Sequence, residues 1–258
     1  MGLDKKILLV LGDSYAAQFD WYSPTHWIAQ FADSADLEIV ALGLGGSGPE
    51  YAIQQFFKYV NAGGKFDIMI TCWSEASRLY HPEVPVINTT IINSGKAFRK
   101  STTYTLVEKV RHAAKEYYSH FYREDLANIH LTGLLQWFDE YLVSNYPNKL
   151  YWHFYCFPGL YNNSYANLAL KEDQYIGHVF KSGVTMYPTL SYFSFNDPNH
   201  VQLQDDLRAG HLSTDQHTQI FLKLQTLYNS QQTDGVYFLD NDFDQVKLSK
   251  DTFEGRFP

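Results

Sequence analysis

The sequence has few cysteines, few basic residues and no long apolar run. Cys72 and Cys156 both lie inside apolar stretches, which favours buried free thiols over a disulfide framework or a zinc site. The 20 basic and 28 acidic residues give a net charge of −8, which argues against a nucleic-acid partner because such binding needs a basic surface. No stretch approaches the roughly 20 apolar residues that cross a bilayer, and the apolar run near the start is too short for a signal peptide. We therefore expect a soluble protein that has no transmembrane segment and no membrane partner.

Aromatic residues are abundant, with 20 Tyr, 18 Phe and 5 Trp making up 17% of the 258 residues. This excess fits an aromatic-rich core, and it fits equally a surface that stacks on sugars or planar ligands. The length suits one large domain, and we expect residues 1–258 to form a single unit.

Short apolar runs bounded by turn residues predict strands that are buried on both faces. They lie at 7–11, 37–42, 68–73 and 150–157. Segments with helical spacing separate the first three runs, and Ser213 is placed to cap a last helix. Strands alternating with helices predict βαβ units and a parallel sheet, so the expected fold class is α/β with three layers.

Two stretches depart from this alternation. Residues 100–148 carry two successive helical patterns and predict a helical insertion before the fourth strand. Residues 158–200 are rich in Asn, Tyr, Pro and Gly without clear periodicity. We predict long aromatic-rich loops there, with one strand near 189–195, and an acidic, aromatic tail after Thr233.

Gly12-Asp13-Ser14 directly follows the first predicted strand. Functional loops of parallel α/β sheets lie at the carboxyl ends of strands, so a tight turn there could expose the Ser14 hydroxyl. Backbone N–H groups of such a turn can face a developing oxyanion. A plain turn with an N-cap serine has the same local pattern.

A glycine-rich segment, 43–48, follows the second predicted strand, and Pro49 opens a helix behind it. Glycine lets the backbone approach a ligand, and a helix start offers free N–H groups to an anion. No Gly-Lys-Ser/Thr follows, so the segment is not a phosphate-binding P-loop.

His211 precedes the last predicted helix. It could take a proton from Ser14 as general base, while a nearby acid such as Asp206 or Asp205 fixes its tautomer. The other histidines show no spacing typical of a metal site, so we predict neither a metal nor a cofactor.

With these three segments in this order, the chain resembles the SGNH (GDSL-type) hydrolases. Gly12-Asp13-Ser14 matches the first block of that family, in which Ser is the nucleophile. Gly48 matches the second-block glycine, whose N–H helps to form the oxyanion hole, with Gly46 as the alternate. The resemblance covers 7–14, about 37–78 and about 203–227 and implies a flavodoxin-like sheet.

Two blocks depart from the family pattern. Ser74 stands where the family has its oxyanion Asn, and Glu75 stands where it has Asp. A Ser hydroxyl reaches less far than an Asn amide, so Ser74, a backbone group or neither completes the oxyanion hole.

The last block usually reads Asp-x-x-His, whereas Asp206 and Asp205 lie further from His211. Asp206 is the expected triad acid, Asp205 comes second and a Ser–His dyad third. His217, inside the last helix, is a further candidate base.

The resemblance implies a serine-dependent ester hydrolase acting through Ser14, His211 and Asp206, with Ser14, Gly48 and Ser74 around the oxyanion. The aromatic loops favour a carbohydrate O-acetyl esterase, and a short-chain acyl esterase fits the same residues. A non-catalytic glycan-binding or virion protein and an O-acyltransferase are alternatives on the same fold. Such a protein would be cytoplasmic or virion-associated, as a bacteriophage-type member would be.

Four residues near these blocks are candidates for substrate contact: Asp13, Trp73, Glu75 and Arg78. Arg78 could bind a substrate carboxylate or pair with Glu75 or Glu83. The sequence leaves the oligomeric state open.

Overall fold

Six strands form one parallel sheet in the computed structural model, which describes residues 5–17, 24–88, 104–156, 183–187, 190 and 212–238. The strands are β1 (Lys6–Gly12), β2 (Leu37–Ala41), β3 (Ile68–Trp73), β4 (Leu150–Tyr155), β5 (Gly183–Tyr187) and β6 (Asp234–Phe238). Their order across the sheet is β2-β1-β3-β4-β5-β6, and every neighbouring pair is parallel. This is the flavodoxin-like order with one strand added at the edge. The predicted α/β class is confirmed.

Five helices flank or extend the sheet in the described part of the chain: α1 (Trp27–Ser34), α2 (Pro49–Asn61), α3 (Tyr104–His120), α4 (Glu124–Asn145) and α5 (Thr214–Ser230). Pro49 occupies the first turn of α2, where its missing N–H costs nothing. Ser213 caps α5 in a capping box with Gln216. Both predicted helix starts are confirmed.

The core lies on both faces of the sheet, because alternate residues of each buried strand point to opposite sides. One face packs α1 and α5 on the strands, with Phe31 and Leu224 fully buried. The other face packs α2 and α4, with Phe56 and Phe138 in edge-to-face contact at 5.1 Å between ring centroids. Much of the aromatic excess therefore serves as core.

The two helices predicted for residues 100–148 are present, and they have different partners. α4 covers the sheet between β3 and β4, as a crossover helix does. α3 instead shares a small separate core with the segment that follows β3, formed by Val84, Ile87, Val107 and Ala114. α3 is thus the true addition to the sheet architecture, and it lies over the loop after β3.

The last two strands differ from expectation. β5 lies at Gly183–Tyr187, inside the range assigned to loops. Leu190 is helical, and the other residues of the loops expected at 158–200 and of the strand expected near 189–195 lie outside the described residues. β6 lies in the tail that carried no predicted strand. Five-residue strands with a polar residue inside give too short an apolar run to stand out from loop sequence. No helix in the described part of the chain is long and apolar enough to cross a membrane.

Candidate active site

Ser14 lies at the carboxyl end of β1, where it opens a single 3₁₀ turn, Ser14–Ala16. The Asp13 carboxylate accepts the Tyr15 N–H at 3.1 Å, and the Asp13 carbonyl accepts the Ala16 N–H at 3.0 Å. Ser14 itself is partly exposed. The turn therefore fixes the backbone of Ser14 while leaving the residue accessible.

The second loop brings the N-terminus of α2 to the same edge. The Ser47 N–H donates to the Leu44 carbonyl at 3.0 Å, and Gly46 has the positive φ of +80° that the third position of a type II turn requires. Gly48 then caps α2. The Ser14 and Gly48 N–H groups both lie at helical starts, where no intrahelical acceptor exists, so they suit an oxyanion.

Gly48 also permits a close backbone contact. A Cβ at this position would lie 2.8 Å from the Arg78 carbonyl oxygen, which is closer than real Cβ contacts. The glycine therefore allows the loop after β3 to pass directly against the start of α2.

The third loop contributes Ser74 and Arg78. The Ser74 hydroxyl donates to the Ser47 carbonyl at 2.9 Å. Arg78 Nη1 lies 3.3 Å from the same carbonyl and 3.1 Å from Asp13 Oδ2, and Arg78 Nε donates to Glu75 Oε1 at 3.2 Å. Arg78 thus joins all three loops, and the Ser74 proton is directed at the Ser47 backbone.

Asp13 is the buried centre of this network. Burial raises the pKa of Asp13, and the Arg78 charge, the Tyr15 N–H and the Cys156 thiol oppose that rise. Cys156 Sγ lies 3.3 Å from Asp13 Oδ1, and burial raises the pKa of this thiol, so it remains a protonated donor. Cys72 and Cys156 are both buried and free, as predicted.

The candidate substrate residues divide by exposure. Asp13 is only 1% exposed. Trp73 packs in the core beside α4, with its indole N–H 3.3 Å from His153 Nδ1. Arg78 is buried and paired with Asp13 and Glu75. Glu75 keeps 41% of its side chain exposed, so among these four it can best reach a ligand.

The remaining catalytic candidates, Asp205, Asp206 and His211, lie outside the described residues. The described chain resumes at Leu212, which is buried in the core beside α1 and α5. In a parallel α/β sheet the helices start at the carboxyl edge of the strands, which is also the edge that carries Ser14.

His217 is turned toward α1. His217 Nδ1 lies 3.4 Å from the Trp27 N–H, and its ring is 4.7 Å from the His26 ring. This contact helps to join α5 to the start of α1.

Glu50 is a further ionisable residue at this edge that the sequence reasoning did not single out. Its Oε2 atom would lie 3.2 Å from a Cβ on Gly48, and within the described part of the chain it is buried without a hydrogen-bond partner. Burial raises the pKa of Glu50, and His130 opposes this rise, with its Nε2 atom 3.7 Å from Glu50 Oε1. An acid in the first turn of α2 was the available signal.

The described residues contain no cluster of three or more His, Cys, Asp or Glu side chains that could hold a metal ion.

Comparisons with known proteins give the following. No family model matches the chain, and no curated protein matches it. It is similar to a lipolytic protein of the G-D-S-L family from Desulfitobacterium hafniense, with 14% identity and a TM-score of 0.38 over 84% of this chain and 97% of that one. It is similar to a G-D-S-L family member from Veillonella parvula, with 11% identity and a TM-score of 0.40 over 87% and 98%.

A third similar structure is that of a carbohydrate esterase described as having divergent catalytic and non-catalytic binding functions, with 11% identity and a TM-score of 0.39 over 87% of this chain and 70% of that one. At these identities and scores, none of the three bears on the activity of this chain.

Proposed function

We propose that the protein is a serine-dependent ester hydrolase. The observation that carries this proposal is the partly exposed Ser14 at the first turn after β1, fixed by the Asp13–Arg78 pair that also holds the loop before Gly48. A nucleophile needs a fixed backbone and adjacent oxyanion donors. At this edge of the sheet, the turn fixes the backbone of Ser14, and the N–H groups of Ser14 and Gly48 are suitable donors.

The reaction runs in two steps. Ser14 Oγ attacks the acyl carbonyl and passes its proton to His211, and the oxyanion is held by the N–H groups of Ser14 and Gly48. His211 then protonates the leaving alcohol, which leaves an acyl group on Ser14. Water activated by His211 releases the acid and restores Ser14. Asp206 orients His211, with Asp205 as the second choice, and no cofactor takes part.

The substrate is an ester of a small acyl group. A carbohydrate O-acetyl ester is our first choice, because half-exposed tyrosines lie close to the loop that carries Glu75. A simple short-chain acyl ester is the second.

Turnover of p-nitrophenyl acetate tests the proposal. Ser14→Ala should abolish hydrolysis, while Ser144→Ala, an exposed serine on α4, should keep the wild-type rate. His211→Ala should lose as much as Ser14→Ala, with exposed His112→Ala as its control. Asp206→Asn and Asp205→Asn, compared in the same assay, assign the triad acid. Equal turnover by wild type and Ser14→Ala would overturn the proposal.

A glycan-binding protein with little or no catalysis is a second candidate. The observation that favours it is the Ser74 hydroxyl, which donates to the Ser47 carbonyl rather than standing open to an oxyanion. Losing one oxyanion donor costs about 10²–10³ in rate in other enzymes. Retained sugar binding without turnover of any ester would favour this candidate.

A further inference from the structure

Three tyrosines form a cluster at the C-terminal end of α3. The ring centroids of Tyr117, Tyr118 and Tyr122 lie 5.5–6.2 Å from one another. All three side chains are partly exposed. Tyr117 and Tyr118 lie in α3, and Tyr122 follows the last residue of that helix, His120. Among the described residues, Tyr118 packs against the small core of α3, whereas Tyr117 and Tyr122 do not belong to that core, so core packing does not account for their aromatic area.

The tyrosine cluster is attached to the loop that follows β3. The Tyr118 hydroxyl donates to the Ser77 carbonyl, in the turn between Glu75 and Arg78. The Glu75 carboxylate is close enough to add to the rise in the pKa of Tyr118 and Tyr122, of which burial is the largest cause. Glu75 and the tyrosines therefore share one surface.

That surface is coupled to the Ser14 loop through a single guanidinium. Arg78 Nε holds Glu75 Oε1 at 3.2 Å, and Arg78 Nη1 holds Asp13 Oδ2 at 3.1 Å. Asp13 is the residue before Ser14. Arg78 therefore holds both the exposed Glu75 carboxylate and the residue next to Ser14, at the same edge of the sheet.

The chemistry of this surface fits a neutral sugar. Tyrosine presents an apolar ring that covers the C–H face of a pyranose, together with a hydroxyl that hydrogen-bonds at its rim. Glu75 pairs with Arg78 through Oε1, and its second carboxylate oxygen can accept hydrogen bonds from sugar hydroxyls. The charge of Arg78 is balanced by Asp13 and Glu75, so the surface offers no excess cation from this residue to an acidic ligand.

We propose that Tyr117, Tyr122 and Glu75 form a subsite for a neutral sugar ring beside the ester-cleaving site, with Tyr118 anchoring it to the loop after β3. This inference rests on the proposed function for its position next to the cleaved ester. It names the sugar ring that carries the ester as the part of the substrate that is recognised.

Binding without catalysis separates the two proposals. Xylohexaose, cellohexaose and mannohexaose, all unacetylated, are titrated by calorimetry into Ser14→Ala and into Ser14→Ala combined with Tyr117→Ala or Tyr122→Ala. We expect at least one oligosaccharide to bind, and each tyrosine substitution to weaken its Kd about tenfold. Trp137→Ala, which removes a 49% exposed aromatic from α4, is the matched control and should leave the Kd unchanged.

Selectivity in catalysis is the second readout. The ratio of kcat/KM for the O-acetylated form of the oligosaccharide that binds to kcat/KM for p-nitrophenyl acetate should fall about tenfold in Tyr122→Ala and stay constant in Trp137→Ala. Urea unfolding of each variant checks that the fold is kept.

The subsite is overturned if none of the three oligosaccharides binds, or if the tyrosine variants bind as tightly as the parent. If binding follows the prediction while no ester is turned over, the subsite stands and the hydrolase proposal fails.

Discussion

The guanidinium of Arg78 lies 3.1 Å from the carboxylate of Asp13, and both side chains are buried at the carboxyl edge of the sheet. The same guanidinium reaches the Ser47 carbonyl at 3.3 Å. The loop that carries Ser14 and the loop that ends at Gly48 therefore share one anchor. A change at either member of this pair should reach both loops.

Asp13→Ala should cost about 3–5 kcal/mol in the free energy of unfolding, because it leaves the buried charge of Arg78 without its nearest partner. Urea unfolding at pH 7 measures this loss. Lys5→Ala, which breaks an exposed ion pair with Asp36, is the control and should cost far less than Asp13→Ala because solvent screens that pair. Similar small losses in both variants would show that the Asp13–Arg78 pair does not anchor the loops.

Gly48→Ala should reduce kcat for p-nitrophenyl acetate by about 10²–10³, because the new Cβ would collide with the Arg78 carbonyl and displace the Gly48 N–H that we propose as an oxyanion donor. Gly133→Ala is the matched control, since nothing lies within 4 Å of a Cβ there. That helical substitution should raise stability by about 0.5–1 kcal/mol and leave the rate alone. Full activity in Gly48→Ala would contradict this prediction, because the added Cβ would then not displace the N–H.

Ser74→Ala separates a positioning role from a direct one. Because the hydroxyl donates to the Ser47 carbonyl, we expect a loss of about 1 kcal/mol in stability and a fall of about tenfold in kcat. Urea unfolding and p-nitrophenyl acetate kinetics on the same preparation measure the two effects. A fall of about 10²–10³ at unchanged stability would instead mean that Ser74 contacts the oxyanion itself.

Asp67 should give a pH-dependent contribution to stability. Burial alone would raise the pKa of Asp67, but the Ile7 N–H and the Lys149 ammonium outweigh it and lower the pKa. A lowered folded pKa stabilises the protein above the unfolded value of about 3.9, and this stabilisation is lost as the pH falls through the folded pKa. Asp67→Asn should therefore destabilise the protein at pH 7 and match wild type in strong acid. A difference that persists unchanged in acid would contradict this.

The sequence predicts the central fold well, because the central strands are buried on both faces. The run 68–73 matches β3 residue for residue, and the runs at 7–11 and 150–157 lie within two residues of β1 and β4 at each end. β5 and β6 escape prediction because five-residue strands that contain Thr185 or begin at Asp234 give no distinctive apolar run.

The candidate site shows a similar division. Ser14 and Gly48 follow from their positions after strands, which is a local signal. The pairing of Arg78 with Asp13 spans 65 positions in the chain and depends on two loops meeting at one edge of the sheet. The sequence suggested Glu75 or Glu83 as the partner of Arg78, and Glu75 is one of its partners. Its other partner, Asp13, is one that local spacing could not indicate. His211 and Asp206 remain predictions.

Covalent labelling of Ser14 tests the central claim most directly. The protein is incubated with a serine-directed fluorophosphonate, digested and mapped by mass spectrometry, beside Ser14→Ala. We predict one adduct, on the peptide that contains Ser14, and none in Ser14→Ala. No adduct on wild type, or an equal adduct on both proteins, would contradict the claim that Ser14 is an activated nucleophile.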